Sequence, residues 1–321
     1  MSILVTGSVA FDHIMVFEDR FKNHILPDKI DALNVAFLVP TLDKRWGGTA
    51  ANIAYNLRIL EEDPIVLATA GQDFEPYRRR FEDCGIQTDG VRVLDDMMTA
   101  QAFITTDQDD NQITAFHPGA MERAHEAAIS DLPGLDSVSL AIVSPNGKQA
   151  MIDHARELKA RGVPFVVDPG QGLPMFDGPE LLALLEGATL YVVNDYEWAM
   201  TRDKIGLEEQ AIAERVGALV ITQGERGSRL VRGGQGSVVL EEAVCEVAPV
   251  AAEQVVDPTG CGDSYRAGLL YALHHGRPLE LGARLGSLFG ALKIASPGPQ
   301  SIPLDPARFR ECYEREFGES Y

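Results

Sequence analysis

The stretch Phe165-Val-Val-Asp-Pro-Gly-Gln171 contains the pattern that decides the fold: a short run of β-forming apolar residues that stops at polar residues and glycine. The same pattern recurs at Tyr191-Val-Val-Asn-Asp-Tyr-Glu197 and at Leu219-Val-Ile-Thr-Gln-Gly224. Helical patterns separate these runs. This alternation predicts an α/β fold with a mainly parallel sheet and helices on both faces. Earlier runs of strand length are Ile3–Val5, Ile65–Ala68 and Leu140–Val143.

Helical periodicity fills most of the chain between the predicted strands. The order is less regular in the C-terminal third, where Gln235–Val247 is predicted to form antiparallel edge strands. The predicted helices are Ala50–Leu60, Glu75–Cys84, Met151–Arg161, Pro179–Leu185, Glu208–Val216 and Ser264–His274.

Two insertions, at about residues 13–46 and 98–118, break the alternation because they contain strand and turn patterns with little helix. Within the second, Ala100–Thr106 and Gln112–Phe116 flank Asp107-Gln-Asp-Asp-Asn111, which is typical of a hairpin turn. We therefore predict a small β appendage over one end of the main sheet, on a single domain that spans residues 1–321.

The composition is that of an ordinary globular protein, with 45% hydrophobic and 24% charged residues. Because 48 acidic residues outnumber 28 basic ones, the formal net charge is −20. A chain this acidic repels phosphate backbones and anionic lipid unless basic residues are concentrated locally. The run Arg78-Arg79-Arg80 lies among acidic residues and is predicted to be a solvated helix face. Nucleic acid and membrane surfaces are therefore not expected as partners.

The cysteines and the N-terminal residues give no sign of an oxidising compartment. Cys84, Cys245, Cys261 and Cys312 are widely spaced, so neither a disulfide framework nor a zinc site is expected, and the seven histidines show no ligand spacing. The first residues lack the basic flank and long apolar run of a signal peptide. We expect a protein of the reducing cytoplasm.

Polar and glycine residues follow several of the predicted strands. The first strand is followed by Gly7-Ser8-Val-Ala-Phe-Asp12, and the strands quoted above run into Asp168, Asn194 and Thr222. Ligands of open α/β sheets bind outside the carboxyl ends of the strands. These residues therefore predict one polar, glycine-rich edge of the sheet that holds a site.

The segment Asp257-Pro-Thr-Gly-Cys-Gly-Asp263 leads directly into an apolar helix. Gly260 and Gly262 permit backbone conformations in which successive N–H groups point at one spot, and with the helix N-terminus they favour an anion. Asp263 lies in the first helical turn. It either caps the helix by accepting from main-chain donors or acts as a base beside a bound phosphoryl group, and the residues alone leave both open.

A second segment, Arg45-Trp-Gly-Gly-Thr-Ala-Ala-Asn-Ile-Ala54, opens a helix with two glycines. It is either a tight strand-to-helix turn or a place where glycine backbone admits a ligand that the amide of Asn52 holds. The sequence contains neither a Walker-type phosphate loop nor a Gly-x-Gly-x-x-Gly after the first strand. P-loop NTPases and the usual dinucleotide oxidoreductases are therefore disfavoured.

These segments resemble the signatures of the ribokinase-like (PfkB) sugar and nucleoside kinases. Gly47–Ala54 is similar to the N-terminal signature and Asp257–Asp263 to the C-terminal one, while Asn194–Glu197 and Thr222–Gly227 resemble the family's Asn-x-x-Glu element and ATP-binding strand end. Within the family the chain is most similar to the bacterial adenosine kinases. The resemblance implies a three-layer α/β/α sandwich and identifies the inserted β segments as a substrate lid.

The resemblance also implies a role for individual residues. Asp263 would be the catalytic base and Gly260, Cys261 and Gly262 would form the anion hole. The ribose would be bound by Asp12, Gly48 and Asn52, with Gly47 in the same signature, and the purine by Ser8, Phe103, Phe116 and Gln171, although both Phe residues could instead pack the lid. ATP would be bound near Asn194, Thr222, Gly224 and Gly227. Arg266 would reach a phosphate or form a surface ion pair.

The implied reaction is phosphorylation of the 5′-hydroxyl of adenosine by ATP with Mg²⁺, held by Glu197 directly or through water, in purine salvage. Family members often bind a monovalent cation such as K⁺ near the anion turn. Relatives include dimers, and an exposed edge of the lid sheet invites pairing, so a homodimer through the lid is expected. Other acceptors remain open, namely ribose, another sugar, inosine or guanosine. A ligand-binding protein on a kinase scaffold is the alternative from another class.

Overall fold

The structure, a computed structural model, describes residues 1–25, 34–109, 111–234 and 238–321. In chain order its strands are β1 (Ser2–Thr6), β2 (Ala10–Val16), β3 (Thr41–Gly47), β4 (Pro64–Gly71), β5 (Val91–Leu94), β6 (Ala100–Thr106), β7 (Gln112–His117), β8 (Val138–Val143), β9 (Phe165–Val167), β10 (Leu190–Asn194), β11 (Ala218–Thr222), β12 (Ser228–Arg232) and β13 (Val244–Val247).

The α-helices cover the faces and ends of the main sheet. They are α1 (Thr49–Ile59), α2 (Glu75–Asp83), α3 (Lys148–Arg161), α4 (Gly178–Leu185), α5 (Asp195–Ile205), α6 (Glu209–Ala213), α7 (Cys261–His274), α8 (Leu279–Ile294) and α9 (Pro306–Phe317). Among the described residues, none of these helices is long and apolar enough to cross a membrane.

In the part of the chain that the structure describes, the main sheet has nine strands in the order β13-β12-β11-β10-β9-β8-β1-β4-β5. The strands from β11 to β5 pair in parallel, while β12 and β13 add an antiparallel edge. After β1, the chain adds β4 on one side of β1 and later adds β8 on the other side. The gap between the carboxyl ends of β1 and β8 is therefore a topological switch point, where open α/β sheets bind ligands.

Alternate residues of each central strand enter two separate apolar cores. Ile3 and Val5 pack with α1, α2, α7, α8 and α9, whereas Leu4 between them packs with α3 to α6. Both faces of the parallel strands are thus buried, which explains why the strands are continuous apolar runs without polar alternation. The fold is a three-layer α/β/α sandwich, as the sequence predicted.

The described residues of the lid form a separate sheet of four strands in the order β3-β2-β6-β7. β2 pairs in parallel with β6 and antiparallel with β3, and β6 and β7 form the predicted hairpin. Part of the first insertion, residues 26–33, lies outside the described residues, as does residue 110 of the predicted turn.

The C-terminal third differs most from the prediction. Of Gln235–Val247, only Val244–Val247 is a strand among the described residues, and its partner is Ser228–Arg232; residues 235–237 lie outside the described residues. Helices α5, α8 and α9 were not predicted, and α6 is shorter than expected. In α8 the glycines are needed for close packing, because a Cβ on Gly286 would lie 2.8 Å from the Tyr265 ring on α7. Glycine lowers helix propensity, so a helix that needs it for packing is hard to detect.

Candidate functional site

A cavity of about 720 Å³ lies between the lid and the carboxyl edge of the main sheet, at the switch point. Its size is typical of a site for a small organic ligand. Predicted site residues that line it are Ser8, Asp12, Gly48, Asn52, Phe116, Gln171, Asn194, Glu197, Gly260, Gly262, Asp263 and Arg266. Six predicted residues are not in its wall: Gly47, Phe103, Cys261, Thr222, Gly224 and Gly227.

The start of α1 needs glycine for two different reasons. Gly48 has φ +91° and precedes the helix, and a Cβ there would lie 2.6 Å from the Ser8 carbonyl oxygen. A Cβ on Gly47 would collide with an oxygen of the Asp12 carboxylate, so a larger residue does not fit there. Asp12 is 9% exposed, lines the cavity, and its carboxylate receives no hydrogen bond from the described residues. Its oxygens are therefore available to a ligand hydroxyl.

Asn52 connects the two signature segments. Its Nδ2 donates to Oδ2 of Asp263 at 2.8 Å, across the gap between α1 and α7. Nε2 of Gln300 donates to Oδ1 of Asn52 at 3.2 Å and to the Tyr77 hydroxyl at 2.9 Å. The amide orientation of Asn52 is thus fixed, with its N–H directed at the Asp263 carboxylate.

The anion turn (Asp257–Asp263) leads into α7 and includes the first three residues of that helix. Gly260, with φ +83°, is the residue before the helix, and a Cβ on it would lie 2.5 Å from the Pro299 side chain. The N–H of Cys261 donates to the Pro258 carbonyl at 3.2 Å. The N–H groups of Gly262 and Asp263 have no acceptor among the described residues. These two groups, with the helix N-terminus, can receive an anion.

The cap interpretation of Asp263 is not supported, because in the described part of the chain its carboxylate accepts from the Asn52 side chain and from no main-chain N–H. The carboxylate instead faces the cavity. Burial raises the pKa of Asp263 to about 7, even though the hydrogen bond from Asn52 lowers it. A carboxylate of this pKa exchanges protons near neutral pH, as a general base requires. Burial also raises the pKa of Asp12, to about 6, and the charge of Asp257 contributes.

Arg266 forms a buried ion pair with Asp168, not a surface one. Its Nε donates to Asp168 Oδ2 at 2.7 Å and one terminal nitrogen donates to Oδ1 at 3.0 Å. The side chains are 6% and 3% exposed. This two-point pairing fixes the guanidinium under the anion turn, where a Cβ on Gly262 would lie 2.8 Å from its other terminal nitrogen.

Asn194 and Glu197 hold each other at the start of α5. The Asn194 side chain accepts from the Glu197 N–H at 2.8 Å, and the Glu197 carboxylate accepts from the Asn194 N–H at 2.9 Å. Both residues line the cavity. Burial raises the pKa of Glu197, and the nearby Asp168 carboxylate raises it further. One oxygen of the Glu197 carboxylate thus accepts the hydrogen bond from the Asn194 N–H, and the other oxygen does not take part in that bond.

Thr222, Gly224 and Gly227 follow the neighbouring strand. Thr222 is the β11 register partner of Asn194, so it lies beside the cavity wall at the same edge of the sheet. A Cβ on Gly227 would collide with the Val247 carbonyl, whereas a Cβ on Gly224 would have none of the described residues within 4 Å. The structure therefore places this segment next to the cavity but not in its wall.

The strand pleat separates the two predicted purine-binding aromatics. Ala102 and Ile104 of β6 and their neighbour Phe116 of β7 face the cavity. Phe103 lies on the opposite face of the lid, where its ring stacks on His13 at 4.7 Å. Successive residues of a strand point to opposite faces, so Phe103 is not a cavity residue and that prediction was wrong.

Two cavity residues had been given no role by the sequence. Asp168, which directly follows β9, was named as a strand-end residue without a function. Asn146, which follows β8 and whose Nδ2 donates to the Gly7 carbonyl at 3.2 Å, was not predicted and could have been found by applying the strand-end argument to β8. Gln300 gave no such signal, because it lies in an irregular segment that only the tertiary fold brings to Asn52.

Two histidines also meet a carboxylate, away from the cavity. His275 Nε2 lies 2.5 Å from Glu62 Oε1, and His274 Nε2 lies 3.7 Å from Glu62 Oε2. This cluster has the donor atoms of a metal site, contrary to the sequence interpretation, and it stands at the far end of α7 from Asp263. The hydrogen bond between His275 and Glu62 accounts for the arrangement without an ion.

Comparison with known proteins gives concordant results. The family model described as pfkB family carbohydrate kinase matches residues 3–306. A nucleoside kinase from Methanocaldococcus jannaschii is 29% identical over 302 residues, which cover 93% of this chain and 92% of that protein.

Solved structures agree over the whole chain. The structure of Burkholderia thailandensis nucleoside kinase in complex with inosine superposes with a TM-score of 0.88 at 44% identity and covers 100% of both chains. The structure of the same enzyme in complex with ADP-inosine gives a TM-score of 0.85 at 46% identity, covering 99% of this chain and 97% of the other.

Proposed function

Because the chain belongs to the pfkB family of carbohydrate kinases, we propose that it transfers the γ-phosphoryl group of ATP to the 5′-hydroxyl of a purine nucleoside, adenosine in the first place. The observation that carries this proposal is the position of Asp263. Its carboxylate lies in the cavity between the hydroxyl-binding side, marked by Asp12 and Asn52, and the N–H groups of the anion turn. A base between an acceptor and an anion site suits phosphoryl transfer.

In the proposed reaction, Asp263 takes the proton of the 5′-hydroxyl while that oxygen bonds to the γ-phosphorus and the bond from phosphorus to the β-phosphate oxygen breaks. The products are a nucleoside 5′-monophosphate and ADP. The N–H groups of Gly262 and Asp263 stabilise the charge that develops on the phosphoryl oxygens. The Arg266 guanidinium lies beneath them, held in its ion pair with Asp168. Asp12 and Gly48 hold the ribose, and closure of the lid excludes water that would hydrolyse ATP.

Oxygen donors in the cavity fit Mg²⁺. The Glu197 carboxylate lines the cavity with an oxygen free of its helix-capping bond, and Mg²⁺ prefers carboxylate and phosphate oxygens. Glu197 would hold the ion directly or through water. When bound, Mg²⁺ neutralises charge on the ATP phosphates. We assign the adenosine diphosphate part of ATP to the edge of the sheet at Asn194, Thr222, Gly224 and Gly227.

The base-binding end of the cavity suits more than one purine. We assign this end to Ser8 and Gln171 of the cavity wall, because a hydroxyl and an amide each donate and accept hydrogen bonds. The Ser8 hydroxyl also accepts from the Thr49 N–H at 3.0 Å. Ser8 and Gln171 can therefore pair with the 6-amino group of adenosine or the 6-oxo group of inosine. The inosine complexes of the Burkholderia enzyme favour inosine as the second candidate. Phe116 offers an aromatic face for the purine ring.

An ADP-release assay with adenosine, inosine, guanosine, cytidine and ribose as acceptors tests the proposal. We expect adenosine and inosine to give the highest kcat/KM and ribose alone to give little turnover, because it leaves the base-binding end empty. Preference for ribose would contradict the nucleoside assignment. Binding of nucleoside and ATP without ADP release would support the alternative of a non-catalytic binding protein.

We also propose that a second copy of the chain covers the outer lid face, defined as the face of the lid sheet opposite the cavity. Leu42, Phe103 and Ile113 lie on it and are 65%, 39% and 42% exposed. Burying such apolar side chains against a symmetric partner would stabilise a homodimer. Sedimentation velocity should show a dimer that the double substitution Leu42→Lys and Phe103→Lys dissociates, while Val239→Lys elsewhere does not. A monomeric wild-type protein would contradict this assignment.

A further inference from the structure

Lys293 is a buried cation that the proposed reaction does not use. It lies in the last turn of α8, and its side chain is 0% exposed. Its Nζ donates to the main-chain carbonyl of Asp257 at 2.6 Å and to that of Ser296 at 3.0 Å. The Asp257 carboxylate oxygen Oδ2 is 3.8 Å away. The ammonium therefore sits among three oxygens directly behind the anion turn.

The Asp257 carboxylate extends this arrangement into the turn itself. Its Oδ1 accepts from the Thr259 N–H at 2.8 Å and its Oδ2 from the Gly298 N–H at 2.7 Å. Burial alone would raise the pKa of Asp257, but these hydrogen bonds and the Lys293 charge lower it overall. Asp257 thus stays ionised and joins the anion turn to the segment after α8.

The same two segments meet at the end of α8. The N–H groups of Val256 and Asp257 both donate to the Ile294 carbonyl, at 2.8 and 3.1 Å. Pro299, in the segment that Lys293 and Asp257 hold, packs against the position of Gly260. Hence the ammonium is connected, through Asp257 and through this segment, to the backbone that presents Gly262 and Asp263.

A buried ammonium is costly unless it is paired and hydrogen-bonded. Two carbonyl oxygens and a carboxylate satisfy it here. Main-chain carbonyls and carboxylates are also the oxygens that hold monovalent and divalent metal cations. The family resemblance implies a K⁺ near the anion turn, but these oxygens are already taken by Lys293. The residues present therefore do not fit K⁺ at this place.

We infer that Lys293 is a positioning residue that replaces a bound monovalent cation: its ammonium holds the anion turn in its phosphate-binding shape, and the chain needs no K⁺. The inference rests on the proposed function only in that the turn binds a phosphate group. It concerns the turn and not the acceptor.

The wild-type protein gives the first test. ADP affinity by calorimetry and the thermal midpoint with ADP are measured in potassium chloride and in choline chloride of equal ionic strength. We expect both quantities to be the same in the two salts. An ADP affinity at least about tenfold higher in potassium would overturn the inference. Neither the ADP affinity nor the thermal midpoint depends on a phosphate acceptor. The two measurements therefore still test the inference if the protein does not phosphorylate nucleosides.

Two variants test the cause. Lys293→Ala leaves the three oxygens around an open space, so ADP affinity should fall by about tenfold or more in choline and recover in potassium or ammonium chloride. The Met side chain of Lys293→Met fills much of the space without charge. The ADP affinity of this variant should therefore be lower than that of wild type in all of the salts. ADP affinity of Lys293→Ala that equals wild type in choline, or that no cation restores, would overturn the inference. If Lys293→Ala does not fold, the wild-type and Lys293→Met measurements decide.

Lys204→Met is the matched control. Nζ of Lys204 also donates to main-chain carbonyls, those of Phe176 at 2.7 Å and Pro174 at 3.4 Å, but Lys204 is away from the anion turn. Lys204→Met therefore shows what the loss of lysine-to-carbonyl hydrogen bonds does when the lysine does not contact the anion turn. We expect a lower thermal midpoint and no dependence of ADP affinity on potassium. Potassium dependence in this variant would show a general effect of losing a lysine and would count against the inference.

Discussion

The side-chain amide of Asn52 donates a 2.8 Å hydrogen bond to the Asp263 carboxylate and so joins the first residues of α1 to those of α7. The bond connects the side of the cavity that is predicted to hold ribose with the side that is predicted to hold phosphate. It also favours the ionised form of Asp263, whose pKa burial raises to about 7. Asn52 therefore sets how readily the proposed base accepts a proton.

Replacing Asn52 should move the pH dependence of catalysis. In Asn52→Ala the carboxylate loses a donor that stabilises its charge, so the pKa of Asp263 rises. Since a general base acts when ionised, kcat/KM should fall below about pH 7 in the wild type, and this acid limb should shift to higher pH in the variant. Rate profiles with the best acceptor measure the shift. An acid limb at the same pH as in wild type, or at lower pH, would show that Asn52 does not lower the pKa of Asp263.

The two lid aromatics should behave differently. Phe116→Ala removes an aromatic face from the cavity, and we expect about a tenfold weaker nucleoside affinity with unchanged ATP affinity. Phe103→Ala is the matched control, because Phe103 lies on the outer lid face. Calorimetric titration of both variants with adenosine gives the comparison. Equal losses in the two variants would contradict the assignment of cavity and outer faces.

Gly260→Ala should disrupt the anion turn. The residue has φ +83° and its Cβ would lie 2.5 Å from Pro299, so the substitution adds both backbone strain and a collision. Gly276→Ala is the control, since Gly276 has φ +59° but no described residue lies within 4 Å of the new Cβ. We expect both variants to lose thermal stability and only Gly260→Ala to lose ADP affinity. Normal ADP binding by Gly260→Ala would show that the turn does not hold phosphate.

Asp263→Asn should also change stability with pH. The ordinary pKa of 3.8 applies to the unfolded chain and about 7 to the folded one, so the folded state retains a proton between these values and loses relative stability as pH rises through them. The variant avoids that loss because its side-chain amide is neutral at every pH in this range. The thermal midpoint of the variant, relative to wild type, should thus increase from about pH 4 to about pH 7 and then level off. A constant difference across this range would contradict the raised pKa.

Much of the architecture was predictable because it depends on local pattern. Buried parallel strands such as Tyr191–Val193 are continuous apolar runs, and the strand ends at Asp168 and Asn194 indicated the edge that holds the site. The lid hairpin was marked by its polar turn. These features follow from residues close together in the chain.

Other features depend on contacts that the sequence does not display. Helix α8 was missed because its glycines serve packing against α7. The assignment of Phe103 to the purine came from the family resemblance, which did not fix which face of the strand meets the cavity. Phe103 follows Ala102 directly in β6, so the two side chains point to opposite faces of the lid sheet. Gln300 and Lys293 act through partners that only the fold brings near.

The turnover of Asp263→Asn tests the central claim most directly. The amide keeps the size of the side chain but cannot take the 5′-hydroxyl proton. With ATP, Mg²⁺ and the preferred nucleoside, kcat should fall by about 10²–10⁴-fold while the nucleoside dissociation constant stays near that of wild type. A variant that keeps most of its turnover would contradict the assignment of Asp263 as the base.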